Sequence, residues 1–255
     1  MIDALYISAS GLRSEQRQID VISNNVANMQ TPGFKRGRVN FVEVATASLG
    51  ANAQQAAEAN RGNGTRILST STIFTPGELR QTRNTFDIAI SGSGFFELEA
   101  ADGSLVYTRD GQFRVDTEGN LATVQGLRLA RGIQIPADAT DVRVAANGDI
   151  TALLAGDTER SPLGTLELAT FAAPDMLVSM GENRFSANDS TGAASYGQPG
   201  DVGFGQVQQG YVEMSNVEMI DEMSALVMAQ RAYQLNARVL QASDQILETI
   251  NNLRR

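Results

Sequence analysis

Glu97 and Glu99 stand two residues apart in the run Phe95, Phe96, Glu97, Leu98, Glu99. Two carboxylates on one face of a strand could serve as acid and base on a glycosidic bond. Their alternation with Phe96 and Leu98 instead describes a strand with one apolar face buried and its carboxylates in water. The same stretch begins as a dinucleotide-binding fingerprint at Gly92 and Gly94. Glu97 takes the place of the third glycine, however, and no helical pattern follows. A turn between strands accounts for it. Asp116, Glu118, Gly119 and Asn120 resemble part of a calcium loop but lack its alternating ligands and its distant bidentate glutamate, so a hairpin turn is expected there. Tyr233 falls on an apolar helical row and reads as packing, its hydroxyl needing a partner if buried. Arg231 beside it reads either as a ligand for a neighbour's carboxylate or as a solvated side chain.

Composition removes most other chemistry. The chain of 255 residues has no His and no Cys. Catalytic triads built on histidine, thiolate nucleophiles and cysteine-ligated zinc are therefore absent. No enzyme activity, cofactor or metal is expected. A formal net charge of −9, without a long basic run, argues against a nucleic-acid partner. No apolar stretch is long enough to span a membrane. The first twelve residues lack the features of a cleaved secretory signal, so export, if it occurs, is expected by a route that does not read one.

The elements that must position these residues follow from periodicity. A first helix is predicted over 3–29, with Leu5, Leu12, Ile19 and Val26 recurring every seven residues, and Ile22 and Met29 on a neighbouring row. Pro32 stops it, and Pro32-Gly33 suits the centre of a type II turn. Residues 46–65 are rich in Ala, Asn, Gln and Gly and read as an extended or mobile connector. From 66 to about 212 the pattern changes to short β-branched and aromatic runs between turn dipeptides. Gly103, Gly111 and Gly119 recur eight apart, which predicts a meander with each glycine in a tight turn at positive φ. The final helix is predicted to open at Ser215 and Glu218 as a capping box. Met219, Leu226, Tyr233, Leu240 and Leu247 then repeat every seven residues. Met223 and Ala237 share a second row with polar Gln230, Asp244 and Asn251.

The fold class expected is α+β: N- and C-terminal helices paired as a coiled coil, with an antiparallel, irregular, sandwich- or barrel-like β-domain between them. The expected division is 1–35 with 213–255 as a terminal helical domain, 36–65 as connector and 66–212 as β-rich domain. Isolated helices are marginal in water, so the two seams should cover each other. Ile220, Val227, Ile246, Ile250 and Leu253 lie off the main row of the last helix. Its apolar face is thus wider than one partner needs, and further copies of this chain are the simplest cover. Asn24, Asn25 and Asn28 at the end of the first helix read either as cap residues or as polar positions fixing the register of a coiled seam.

Asn25, Val26, Ala27, Asn28 and the following Met-Gln-Thr-Pro-Gly-Phe-Lys-Arg near the start, with residues 210–255 at the end, resemble the paired terminal signatures of the flagellar rod and hook axial proteins. Residues 87–121 and 181–192 resemble that family's β-domain, so the likeness covers most of the chain. Gln30 departs from the family pattern, which more often has a small residue there, and the connector conforms weakly. The resemblance implies a structural, non-enzymatic subunit that self-assembles into a hollow shaft, with terminal helices nested as a tube and the β-domain outside. It implies an assembly interface of Leu5, Leu12, Ile19, Val26, Met219, Leu226, Tyr233, Leu240 and Leu247. It implies a turn motif of Asn25, Asn28, Thr31, Gly33, Phe34 and Lys35, and a connector that bridges to neighbouring subunits. The partners it implies are copies of this chain, rod and hook subunits, the surrounding rings, and the flagellar export apparatus with its chaperones. The location it implies is the periplasm-spanning rod of the basal body. A carboxylate-dependent glycan-binding or glycan-acting module is the reading from another class.

Overall fold

The structure, a computed structural model, describes residues 2–44, 64–100 and 102–253. The order is helix, strands, helix, with α1 at Ile2–Ala27 and α2 at Met219–Leu253. The chain divides into two compact units, the first built from the described residues of Met1–Ala27, Gly37–Ser71 and Glu218–Arg255, the second from Asn28–Arg36 and Thr72–Val217.

In the first unit α1 and α2 pack together. They run antiparallel, because the late α1 residue Asn25 bonds the early α2 residue Glu222, while Gly11 lies against Asn236 further along α2. A two-stranded sheet of Gly37–Glu43 and Thr65–Thr72 joins this unit and packs on α1. Most of the expected connector, 45–63, lies outside the described residues. No helix among the described residues is long and apolar enough to cross a membrane.

The second unit is β-rich, and its paired strands run antiparallel. Seven short strands form its largest sheet, with Phe96–Glu99 and Leu105–Thr108 near the centre and Val178–Gly181 and Phe113–Val115 at its edges. A three-stranded sheet, Ala139–Val144, Asp149–Leu154 and Arg160–Thr165, stands beside three two-stranded pairs. Alternation along these strands puts Ile88, Ile90, Phe96, Leu98, Leu121, Ile150, Leu168 and Val207 into one core. A smaller cluster of Phe95, Tyr107, Leu177 and Phe185 packs through edge-on ring contacts with Phe74 and Phe171.

Gly103 and Gly119 take the positive φ expected of turn glycines, 81° and 87°. Gly111 differs, and is glycine for space. Its carbonyl accepts the Ile88 amide at 3.0 Å, and a Cβ there would stand 1.7 Å from the Ile88 carbonyl oxygen. Both atoms are backbone, so neither can swing away. Gly111→Ala should lower the stability of the β-rich unit by about 1–3 kcal/mol, the range for overpacked interiors, read as an earlier chemical-denaturation midpoint.

Candidate functional site

The chain leaves α1 through a turn that its own asparagine builds. The Thr31 amide donates to the Asn28 carbonyl at 3.0 Å, and the Thr31 hydroxyl donates to the Asn28 side-chain oxygen at 3.3 Å. Pro32 and Gly33 follow, Gly33 with φ of 70° as the turn expectation requires. A Cβ on Gly33 would also stand 2.6 Å from the Asp110 backbone. The Gly33 amide donates to the Glu213 carbonyl at 2.8 Å, and the half-buried Phe34 closes the turn by donating its amide to the Thr31 carbonyl at 3.3 Å.

Lys35 then enters the interior of the β-rich unit. Its ammonium donates to Glu213 at 2.5 Å and to the Thr75 carbonyl at 2.9 Å. Arg109 reaches the other Glu213 oxygen at 3.4 Å, donates to the Gly92 carbonyl at 2.7 Å, and lies over the Phe95 ring at 5.3 Å. The Lys35 and Glu213 side chains are 0% exposed and that of Arg109 is 3% exposed. The Gly77 amide adds a third donor to this carboxylate at 2.8 Å. Burial pulls the Lys35 ammonium below its ordinary value, opposed by Glu213 and assisted by Arg109, and burial lowers the Arg109 guanidinium likewise. Two cations thus share one anion. An amine this enclosed and already bonded cannot meet a substrate, so the cluster is structural rather than catalytic.

Beside it, burial pushes the Asp110 carboxyl from 3.8 up to about 6, held back by the Gln112 amide and reinforced by Asp87. A carboxyl whose folded value is raised favours the folded state in its protonated form. Its penalty is absent below pH 4, grows as pH rises toward 6, and is constant above. Asp110→Asn keeps an oxygen for the Gln112 amide. It should stabilise the β-rich unit by up to about 3 kcal/mol at pH 8 and by nothing at pH 3, as measured by denaturation at the two pH values.

In the helical unit Asn25 explains the asparagine-rich helix end. Its side-chain amide donates to the Gly37 carbonyl and its oxygen accepts the Gly37 amide, both at 2.9 Å, copying a strand partner. The same nitrogen lies 3.2 Å from the buried carboxylate of Glu222. In the β-rich unit Asn216 does the equivalent work, accepting the Arg36 amide at 2.8 Å and donating to Ile73 and Thr75 carbonyls at 2.9 and 3.1 Å. Ser215 is not the expected cap. Its hydroxyl accepts the Val217 amide at 3.2 Å, ahead of a helix that begins at Met219, and the backbone carbonyl of Glu218 takes the first helical bond, from the Glu222 amide. Val217, Glu218 and Met219 carry no turn signal, so the pattern could not show that the helix starts late.

On α1, Leu5, Leu12, Ile19 and Val26 are half-buried and Ile22 is buried. On α2, Leu226, Leu240 and Leu247 are half-buried, whereas Met219 and Tyr233 are exposed. The second inward row consists of Glu222, Ala229, Asn236 and Ser243, one residue before the row of Met223 and Ala237 read from the sequence. Small and polar side chains sit there because α1 approaches closely: a Cβ on Gly11 would be 2.9 Å from the Asn236 side chain. Outside it, Met228, Leu235, Val239 and Ile246 form an exposed apolar row on the described part of α2. This row lies roughly a quarter turn of helix from the inward one.

Glu97 is half-buried, not fully solvated as its alternation suggested, and accepts hydrogen bonds from Tyr196 at 2.5 Å and Tyr107 at 3.4 Å. Burial raises both phenols, and the carboxylate is committed to them. Sequence reasoning missed Glu213, Arg109, Asn216 and Glu222. Glu213 had a signal, a charge between Val212 and Met214 in a strand, but its partner lies 178 residues away.

Three family models match this chain. Residues 5–35 match "Flagella basal body rod protein", 89–152 match "Flagellar hook protein FlgE/F/G D1 domain", and 208–253 match "Flagellar basal body rod FlgEFG protein C-terminal". The flagellar basal-body rod protein FlgG of Agrobacterium fabrum is 38% identical, over 97% of this chain and 98% of its own length. Its namesake from Buchnera aphidicola is 37% identical over 99% and 100%, and that of Bacillus subtilis 36% identical over 100% of both chains. The matched ends include the turn that carries Lys35 and the strand that carries Glu213. With the buried bond between those two residues and full-length similarity, they establish that the chain belongs to the flagellar basal-body rod protein family.

Proposed function

We propose that this chain is a structural subunit of the flagellar basal-body rod, not an enzyme, which polymerises through its terminal helices into a hollow drive shaft and export channel. The observation that carries this is the exposed row Met228, Leu235, Val239 and Ile246. Such a row at alternating seven- and four-residue spacing is a coiled-coil seam. On α2 it stands beside a seam already covered by α1, the pattern of a helix with partners on two sides. In the first turns Met219, Ile220, Met223 and Val227 are exposed as well, a further apolar stripe about a third of a turn round the helix from Met228. A heterologous contact that does not close gives a helical filament.

In this reading 1–35 and 213–255 form the polymer core as coiled coils, with Leu5, Leu12, Ile19, Val26, Met219, Leu226, Tyr233, Leu240 and Leu247 packing within and between copies. The segment 36–65 bridges to neighbours, and 66–212 faces outward. Asn25, Asn28, Thr31, Gly33, Phe34 and Lys35 set the angle at which the chain leaves the core. Similarity to FlgG proteins favours the distal rod over a proximal rod or hook position. Proximal rod subunits, hook subunits, the surrounding rings and the export apparatus with its chaperones are the further partners, and the periplasm-spanning rod is the location. A glycan-acting role gains no support from the family.

The test is sedimentation of the purified full chain over a concentration series, with electron microscopy of the pelleted fraction. Filaments above a threshold concentration are expected. A chain that stays monomeric at every concentration, with both helices fully protected from hydrogen exchange, overturns the proposal.

A further inference from the structure

α2 exposes three thioethers within its first ten residues, Met219 and Met223 on one side and Met228 on the row of Leu235 and Ile246: they are 47, 50 and 68% exposed. The chain contains no Cys, no Trp and no His, the other side chains that oxidants attack readily. Met29 and Met214 are half-buried by comparison. We infer that Met219, Met223 and Met228 are oxidation sites at which a peroxide blocks addition of this chain to its own polymer. The inference rests on the assembly reading above.

The chemistry is self-contained. The thioether sulfur attacks one peroxide oxygen. A sulfur–oxygen bond forms as the oxygen–oxygen bond breaks, sulfur gives up two electrons, and hydrogen peroxide is reduced to water. The product sulfoxide is polar and a strong acceptor, where methionine is flexible and apolar. None of the three side chains has a protein hydrogen-bond donor, since nothing polar bonds them among the described residues. A sulfoxide there would be buried against the next copy without a partner, and a buried polar group left unmade opposes association. The reaction must precede assembly, because an apolar contact that excludes water also shields the sulfur. A methionine sulfoxide reductase with a dithiol reverses it, with the oxygen leaving as water and the dithiol becoming a disulfide.

The chain supplies its own control. Met176 and Met180 are comparably exposed, at 55 and 59%, but lie in the β-rich unit. Three proteins would be treated as monomers with hydrogen peroxide: the natural chain, a Met176→Leu/Met180→Leu variant, and a Met219→Leu/Met223→Leu/Met228→Leu variant. Leu and Met exchange at similar volume, and each variant's own untreated threshold is the reference for its treated one. Peptide mass spectrometry would locate the added oxygen, and the threshold concentration for filaments would be measured before and after. The expected result is a rise of tenfold or more for the natural chain and for the Met176/Met180 variant, no rise for the α2 variant, and recovery after the reductase. An α2 variant that loses assembly as fully as the natural chain overturns the inference. So does a natural chain oxidised at all three α2 positions with an unchanged threshold. Failure of the untreated natural chain to form filaments is a different outcome, and it removes the assembly reading together with this inference.

Discussion

Glu213→Ala should destabilise the β-rich unit by about 3–5 kcal/mol, the cost of breaking a buried ion pair from one side. The carboxylate answers two cations and the Gly77 amide, and none of these can reach water in the folded unit. Removing it leaves Lys35 and Arg109 enclosed with their charges unbalanced. Deleting a cation instead should cost much less. In Lys35→Met the apolar stem is kept, Arg109 still answers Glu213, and the cluster becomes one cation and one anion. Chemical denaturation followed by circular dichroism separates the two cases. Equal losses for Glu213→Ala and Lys35→Met, or a loss under 1 kcal/mol for Glu213→Ala, would show that the cluster is not held by its anion.

Leu235→Glu should abolish polymerisation while leaving the monomer almost unchanged. Leu235 is 61% exposed in the single chain, so a carboxylate there remains hydrated and stability should move by about 0.5 kcal/mol or less. Between copies the same carboxylate would be stripped of water against apolar side chains without a cation, at several kcal/mol per contact. Each subunit meets that cost at every repeat of the lattice. Leu235→Met should assemble normally. Sedimentation at concentrations well above the natural threshold decides it, and filaments of normal abundance from Leu235→Glu would place the polymer contact elsewhere.

The terminal helices and the β-rich middle were legible because each rests on a period that local sequence displays. Leu5, Leu12, Ile19 and Val26 announce α1, and the β-branched runs announce strands. The second row of α2 was misplaced by one residue because the eye follows large apolar side chains. The inward row is Glu222, Ala229, Asn236 and Ser243, which no hydrophobicity pattern selects. Close approach of α1 dictates small residues there, and close approach is a tertiary fact. Gly111 misled for the same reason: a glycine at turn spacing stands against the Ile88 carbonyl. The asparagines at the end of α1 read either as caps or as polar positions fixing register, and Asn25 serves the backbone of Gly37, beyond the turn, as well as Glu222 on α2. The buried trio of Lys35, Arg109 and Glu213 was invisible because its members come from three distant places in the chain. Only the resemblance marked Lys35, and it did so without its partner.

The separation between Lys35 and Glu213 also sets an order of events. A chain presented N-terminus first offers its lysine early, and the matching carboxylate arrives 178 residues later. Contacts so far apart in sequence are slow to form and cannot form at all on a partly delivered chain. The Asn25 clasp on Gly37 needs only 12 residues and can close at once. The β-rich unit therefore has a built-in delay: its buried ion pair closes only once all but the last helix has been made.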